Sequence, residues 1–525
     1  MKKTLKKEKG ITLIALVITI IILLILAGIS ISALTQTGIF GKAKQAEQKS
    51  KDAQEKENTT LGTYENEINT YFLKKADGSW DSDKKVNSPQ LMNGMTPIYW
   101  DKDGNEIKVT SENENEWYDY ENQKWANAKT KDGSYWVWIP RYAYKIESGC
   151  YTNTAGAITV KFLQGTSNKD ESNTEIKTTY PTVTNGAMQD FVVHPSFTNG
   201  TSNHFMNGEW RDNIAGYWVA KYAAGFQAST TDASDATKVV NSSDTIAYSN
   251  KNYTYMGSAY TTNPISQNTS LLPTMSYPVF KPLTYAYTCI TTGDAYTLSK
   301  EIAKANDFYG LNSTKTDSHQ MKNSEWGAVA YLTQSSCGRN GTEIAINSKN
   351  LNNLNSKNIY AITGYSGETA NGVDASTTNN MSGIFDLRGC VWEYTAGYIT
   401  NGDGNLKYGA SFVTKTEENE NGYLTLSTEY TTVYPYNKEA VATSYDSKKT
   451  SIYGFGDAIL ETSGRESLKD GWNVDCSVVP SKTNTFFRRG SYFGNPIIET
   501  GIFSFGSSSG GTGHGDGFRS VLIAL

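Results

Sequence analysis

Hydrophobic and polar positions divide the chain into stretches of different character. A basic start (Lys2, Lys3, Lys6, Lys7, Lys9) gives way to an uncharged run from Ile11 to Leu34. That run is roughly 24 residues, or about 36 Å of helix at 1.5 Å per residue, enough for a bilayer core of about 30 Å. Lysines on the short side predict that the leader stays inside and everything after Leu34 faces outward. A cleaved signal peptide is the competing reading, but its apolar core is usually only about 7–15 residues long. The stretch from Lys42 to Asn58 is rich in Lys, Glu, Gln and Ala, all strong helix formers. Leu61, Tyr64, Ile68 and Tyr71 then recur on one helical face. The pattern therefore predicts a transmembrane helix and stalk over residues 11–75, following a leader over 1–10.

From residue 76 the pattern shifts to aromatics and turns. Asp101-Lys-Asp-Gly104 and Asp132-Gly133 punctuate short strands, and Tyr135-Trp-Val-Trp-Ile139 reads as a strand closed by Pro140. Residues 76–149 are expected to form a small β-rich connecting module, its aromatics mostly core, with a carbohydrate-stacking surface as the rival role. Residues 150–525 are expected to form one large α+β domain. Phe191–Pro195 and Gly216–Lys221 read as strands. Ser299–Tyr309, terminated by Gly310, and Ser324–Leu332 read as helices. Long Asn/Ser/Thr/Gly loops at Gly341–Asn358 and Gly364–Met381 suggest functional segments.

Composition changes the picture in three ways. A net charge of −5 gives no electrostatic footprint for nucleic acid. The abundance of Tyr, Asn, Ser, Thr and Gly suits a polar, loop-rich binding domain. Five cysteines (Cys150, Cys289, Cys337, Cys390, Cys476) are odd in number and widely spaced, and the four histidines are unpaired at helical spacing. Neither a disulfide framework nor a metal site is expected.

Two resemblances add expectations. The basic leader ending in Gly10, followed by Ile11-Thr-Leu-Ile-Ala15, resembles a type IV prepilin or pseudopilin amino terminus. It implies cleavage between Gly10 and Ile11 by a prepilin peptidase and methylation of the new terminus. It also implies pilin subunits as partners and a bacterial location: a single-pass membrane protein with an extracellular carboxy-terminal domain, or a surface pilus. Ala15 stands where that family carries a glutamate that meets a neighbouring subunit, so sparse incorporation at a filament tip or base is expected.

Further on stand Asn323-Ser-Glu-Trp-Gly-Ala-Val-Ala330, Gly383-Ile-Phe-Asp-Leu-Arg-Gly-Cys-Val-Trp-Glu-Tyr394, Phe487-Arg-Arg-Gly-Ser-Tyr492 and Gly515-Asp-Gly-Phe-Arg519. In that order they resemble the C-type-lectin-like fold of the formylglycine-generating (sulfatase-modifying) family. The resemblance implies core roles for Trp392 and Phe518 and a buried carboxylate partner for Arg519. The enzyme's two cysteines would fall on Gly494 and Glu499, and residues 489–525 contain none. A thiolate nucleophile is therefore missing, and no catalysis is expected.

The same scaffold displays ligand-binding faces in the variable proteins of diversity-generating retroelements. There the segment matching residues 490–518 carries the binding surface. Tyr492, Phe493, Asn495, Ile497, Ile498, Glu499, Ile502, Phe503 and Phe505 are the exposed candidates that this implies. Half of them becoming core is the plainer alternative, since an apolar run of period two is usually a strand face. The expected function is an adhesin-like binder of an external protein or glycan. A structural minor pilin and a formylglycine-type oxidase are the alternatives. No cofactor is expected, with calcium left open by the lectin-like resemblance.

Overall fold

The computed structural model describes residues 16–26 and 48–51 near the amino terminus. Between 73 and 525 it describes all except 74, 201–207, 227–244, 249–250, 255–276, 289, 353–358, 368, 400–407, 410–411, 414–428, 435–454, 465–468, 482, 495–499 and 514. The chain separates into two compact units, residues 1–68 and 69–525.

The first unit corrects the amino-terminal expectation. Among the described residues of this unit, helix is found at 16–26 and 48–51. No described helix is long and apolar enough to cross a membrane. The long helical stalk, the single-pass anchor and the membrane location built on it are therefore overturned. Gly10, Ile11 and the Leu61–Tyr71 face lie outside the described residues.

The second unit is mostly β, with few helices, which corrects the α+β expectation. Its main elements, in chain order, are β1 (Thr96–Trp100), β2 (Glu106–Lys108), β3 (Asn127–Lys129), β4 (Tyr135–Pro140), β5 (Tyr142–Ile146), β6 (Ile158–Phe162), β7 (Val192–Val193) and β8 (Gly216–Ala220). They continue with α1 (Thr292–Glu301), β9 (Thr316–Gln320), α2 (Asn323–Gln334), β10 (Trp392–Ile399), β11 (Thr432–Tyr434), β12 (Phe486–Arg489), β13 (Phe505–Ser508), β14 (Asp516–Phe518) and β15 (Ser520–Ala524).

A seven-stranded antiparallel sheet has the order β9-β15-β8-β4-β3-β1-β2. The carboxy-terminal strand β15 thus inserts between β8 and β9, with Leu522 opposite both Trp218 and Ser318. Because β1–β4 share this sheet with β8 and β15, the boundary expected at residue 149/150 does not separate two sheets. The aromatics of β4 and β8 explain the pairing. Trp138 faces Trp218 with ring centroids 5.4 Å apart, and both are fully buried. Core packing is therefore the role of most aromatics expected in the module, as with Trp117, Trp125 and Trp136.

A second sheet is built on β10. Antiparallel β12 lies on one side of it, followed by β13; parallel β14 and β11 lie end to end on the other. A small third sheet has the order β7-β5-β6.

The helices differ in detail from expectation. Thr291 caps α1 through Asp294 N–H, so it starts seven residues before Ser299, and a separate turn, Asn306–Tyr309, ends at left-handed Gly310. All of α2 is buried, polar residues included. Its Trp326 donates to Ile502 O at 2.7 Å.

Candidate binding face

The two large sheets meet at Arg519, the single residue between β14 and β15. Its guanidinium grips Glu393 of β10 at both oxygens (Nε–Oε2 2.9 Å, Nη2–Oε1 2.6 Å). It also donates to Ala220 O of β8 at 2.7 Å and to Phe385 O at 2.8 Å. Both side chains are sealed from water. Burial pushes the Glu393 carboxyl up, and the guanidinium opposes that. Trp392 and Phe518 flank this junction and are buried. The carboxylate expected for Arg519 is therefore Glu393.

Sheet parity then sorts the carboxy-terminal segment into two faces. The inward side of the second sheet carries Glu393, Arg489, Phe487 and Phe505, all buried. Arg489 donates to Ser504 O, Asp457 O and Ala458 O at 3.0, 2.8 and 2.9 Å. Desolvation lowers its pKa to about 10. The opposite side carries Trp392, Tyr394, Phe486, Arg488, Gly506, Ser508 and Asp516, as the pairings Arg488↔Tyr394, Arg488↔Gly506 and Trp392↔Asp516 require.

One end of that outer side is covered. Phe486 packs with Tyr398, Phe412 and Val433. The other end is partly open. There Arg488 lies over the Trp392 ring, 4.6 Å from its centroid, and pairs with Asp516 at 3.0 Å. Their side chains remain 29% and 13% exposed. Gly506 makes the stack fit, since a Cβ there would stand 3.3 Å from both Arg488 Nε and the Trp392 ring. Tyr394, buried below, shares a hydrogen bond with Ser508 (2.9 Å) and donates to Gly511 O (2.7 Å).

After β12 the chain turns sharply through Gly490 (φ +80°) and Ser491 (φ +69°). A Cβ at Gly490 would sit 2.9 Å from Leu387 O, so both conformation and space call for glycine. The turn delivers Tyr492 and Phe493, both half-buried. Their rings meet edge to face at 5.3 Å. Phe493 rests on Ala223, Ala286, Ala361, Cys390 and Val391, and donates its N–H to Cys390 O at 3.2 Å. The Tyr492 ring lies against Gly494 and Gly515.

Of the nine expected binding residues, Tyr492 and Phe493 are therefore at the surface. Ile502, Phe503 and Phe505 are 4%, 0% and 1% exposed and belong to the core, which corrects their assignment. The reason is local. Phe503 N–H donates to buried Asp475 at 3.0 Å, and Ser504 N–H closes a turn onto Gly501 O at 3.0 Å. That turn folds the apolar run inward before β13 begins. Asn495, Ile497, Ile498 and Glu499 lie outside the described residues.

Arg488, Ser508 and Asp516 are surface members of the face that the sequence reading passed over. The available signal was the adjacent pair Arg488-Arg489, since neighbouring strand residues must point to opposite faces. Chemically, the face offers a guanidinium, a carboxylate, hydroxyls and a tyrosine ring. That set suits hydrogen bonding and stacking.

One cysteine, Cys390, lies beneath Phe493 at this surface. Cys150, Cys337 and Cys390 are buried and Cys476 is half-buried. Burial pushes the Cys337 thiol up to about 11 and the Cys390 thiol well above its ordinary value. Cys289 is not described. Among the described residues, no group of three or more His, Cys, Asp or Glu side chains is placed to hold a metal ion. No family model matches the chain, and no curated protein matches it.

Proposed function

We propose that the second unit is a ligand-binding head and that its contact face is the open end of the second sheet: Arg488, Tyr492, Ser508 and Asp516, with the glycine-rich residues 510–513. The observation that carries this reading is the division of one short segment by parity. Phe487, Arg489 and Phe505 lock the sheet from inside, while Arg488 and its neighbours hold charge and aromatic surface outward on a rigid frame. Binding residues held by such a frame are the common arrangement in recognition domains. Tyrosine and arginine are the side chains that most often anchor contacts. The resemblance to retroelement-diversified proteins supports the same face, with an external protein or glycan as ligand. Under that reading, sequence variation is confined to residues 492–499 and 507–515, because 502–505 are needed inside.

The test uses the folded chain on a panel of immobilised glycans and purified surface proteins. Arg488→Ala and Tyr492→Ala are each expected to weaken whatever specific binding the wild type shows by about tenfold or more, with the melting temperature nearly unchanged. Specific binding that survives both substitutions at full strength would move the contact elsewhere and reject this face.

A further inference from the structure

A second cluster lies where β9 runs into α2. His319 is fully buried, and both its ring nitrogens face carboxylates. Nδ1 is 2.9 Å from Asp317 Oδ1 and Nε2 is 2.9 Å from Glu325 Oε1. A neutral imidazole has one N–H and one lone pair, so it would turn the lone pair on one of these anions. Neither carboxylate is placed to carry the proton instead. Asp317 Oδ2 accepts from Lys300 Nζ at 3.0 Å, and Glu325 Oε2 accepts from the Lys322 backbone N–H at 2.8 Å. Glu325 Oε1 also lies 3.4 Å from Lys322 Nζ. Each carboxylate is also paired with a lysine, Asp317 with Lys300 and Glu325 with Lys322, which favours its ionised form. We infer that His319 is held as a buried imidazolium and acts as a proton-dependent rivet between the two large sheets, firm when protonated and loosened by alkali.

Its position fits that role. β9 belongs to the seven-stranded sheet, and the residues just after His319 bind the second one. Gln320 Nε2 donates to Tyr394 O (2.7 Å), Ala396 N–H to Met321 O (2.9 Å), and Thr395 Oγ1 to Asn323 Oδ1 (2.8 Å). Charged and aromatic groups close the site on every side. Asp317 comes from the same strand, Glu325 and Lys322 from the start of α2, and Lys300 from α1. Glu209 and the Arg211–Glu429 pair (3.2 Å) lie in the flanking segments. Lys322 Nζ holds Gly208 O and Glu429 O at 2.7 and 2.8 Å. Trp210 and Tyr430 pack on the imidazole at 5.2 and 5.9 Å.

The two inner anions are matched by Lys300 and Lys322, so the proton on His319 is retained by contact geometry rather than by excess negative charge. Burial alone would push His319 down, but the two carboxylates reverse this and its pKa is raised. Asp317 is held at about 2 and stays ionised through the neutral range. The stabilisation from the imidazolium is therefore full below the ordinary histidine value of about 6.5. It is lost as pH rises through the higher native value.

Nitrogen NMR of the full chain with labelled histidine tests this. His194 supplies an internal contrast: it is buried, with Nδ1 accepting from Ser196 N–H at 3.3 Å, and burial lowers its pKa to about 3. His204→Gln and His514→Gln identify the remaining two signals. At pH 7 we expect protons on both nitrogens of His319 and on one of His194. Raising the pH should remove one His319 proton and, in the same step, lower the protection of Ala396 N–H (its exchange rate relative to the intrinsic base-catalysed rate at each pH) by at least about tenfold. A singly protonated His319 at pH 7 would overturn the inference. So would a titration that leaves the protection of Ala396 N–H unchanged.

Discussion

Replacing Arg519 with Met is expected to unfold the second unit under conditions where the wild type is stable. The substitution leaves Glu393 buried with both oxygens deprived of their guanidinium donors, and it frees Ala220 O and Phe385 O. Removing one partner of a buried ion pair typically costs about 3–5 kcal/mol. The net stability of a folded protein is only about 5–15 kcal/mol. The paired change Arg519→Met with Glu393→Leu should recover much of the loss, since it removes the stranded charge along with its partner. Denaturant titration of the two variants measures this. A cost below about 1 kcal/mol for Arg519→Met would mean that the junction of the two sheets is held by something else.

The second large effect separates core from surface within the same segment. Phe505→Ala and Phe503→Ala should each cost about 3–5 kcal/mol, because both rings are buried and large aromatic deletions leave cavities. Phe503 packs edge to face on Trp472 at 5.0 Å, so its loss should also loosen the segment around Asp475. Tyr492→Ala, at a half-buried position, should fall well short of that cost. Thermal melts of the three variants side by side check the order. If Tyr492→Ala melts the protein as far as Phe505→Ala does, Tyr492 is core and the face loses its aromatic.

Much of the carboxy-terminal framework was legible because its residues have strict physical requirements. Trp392 and Phe518 are large apolar side chains among turn residues, and an arginine between two strands needs a carboxylate wherever it is buried. The identity of that carboxylate, Glu393, follows from which strands pair, and strand pairing is long-range. Ile502, Phe503 and Phe505 were misplaced for the same reason. Their alternation fits either face of a strand until the turn at Gly501–Ser504 and the pairing of Phe505 with Arg489 fix the parity. The amino-terminal run shows the opposite failure. Its hydropathy was plain, but hydropathy gives a solvent preference and an upper bound on length, and no described helix is long and apolar enough to cross a membrane. The His319 cluster was not legible, because its members come from β9, α2, α1 and two distant segments that only the fold assembles.

The central claim is that one short segment is divided by strand parity into a structural side and a binding side. A single-substitution library over residues 486–518, sorted in parallel for folded display and for ligand binding, tests it most directly. Substitutions at Phe487, Arg489, Phe503 and Phe505 should fail in the folding sort. Those at Arg488, Tyr492, Ser508 and Asp516 should pass it and fail only in the binding sort. Folding and binding defects scattered over the same positions, without regard to which side of the sheet they occupy, would contradict the account.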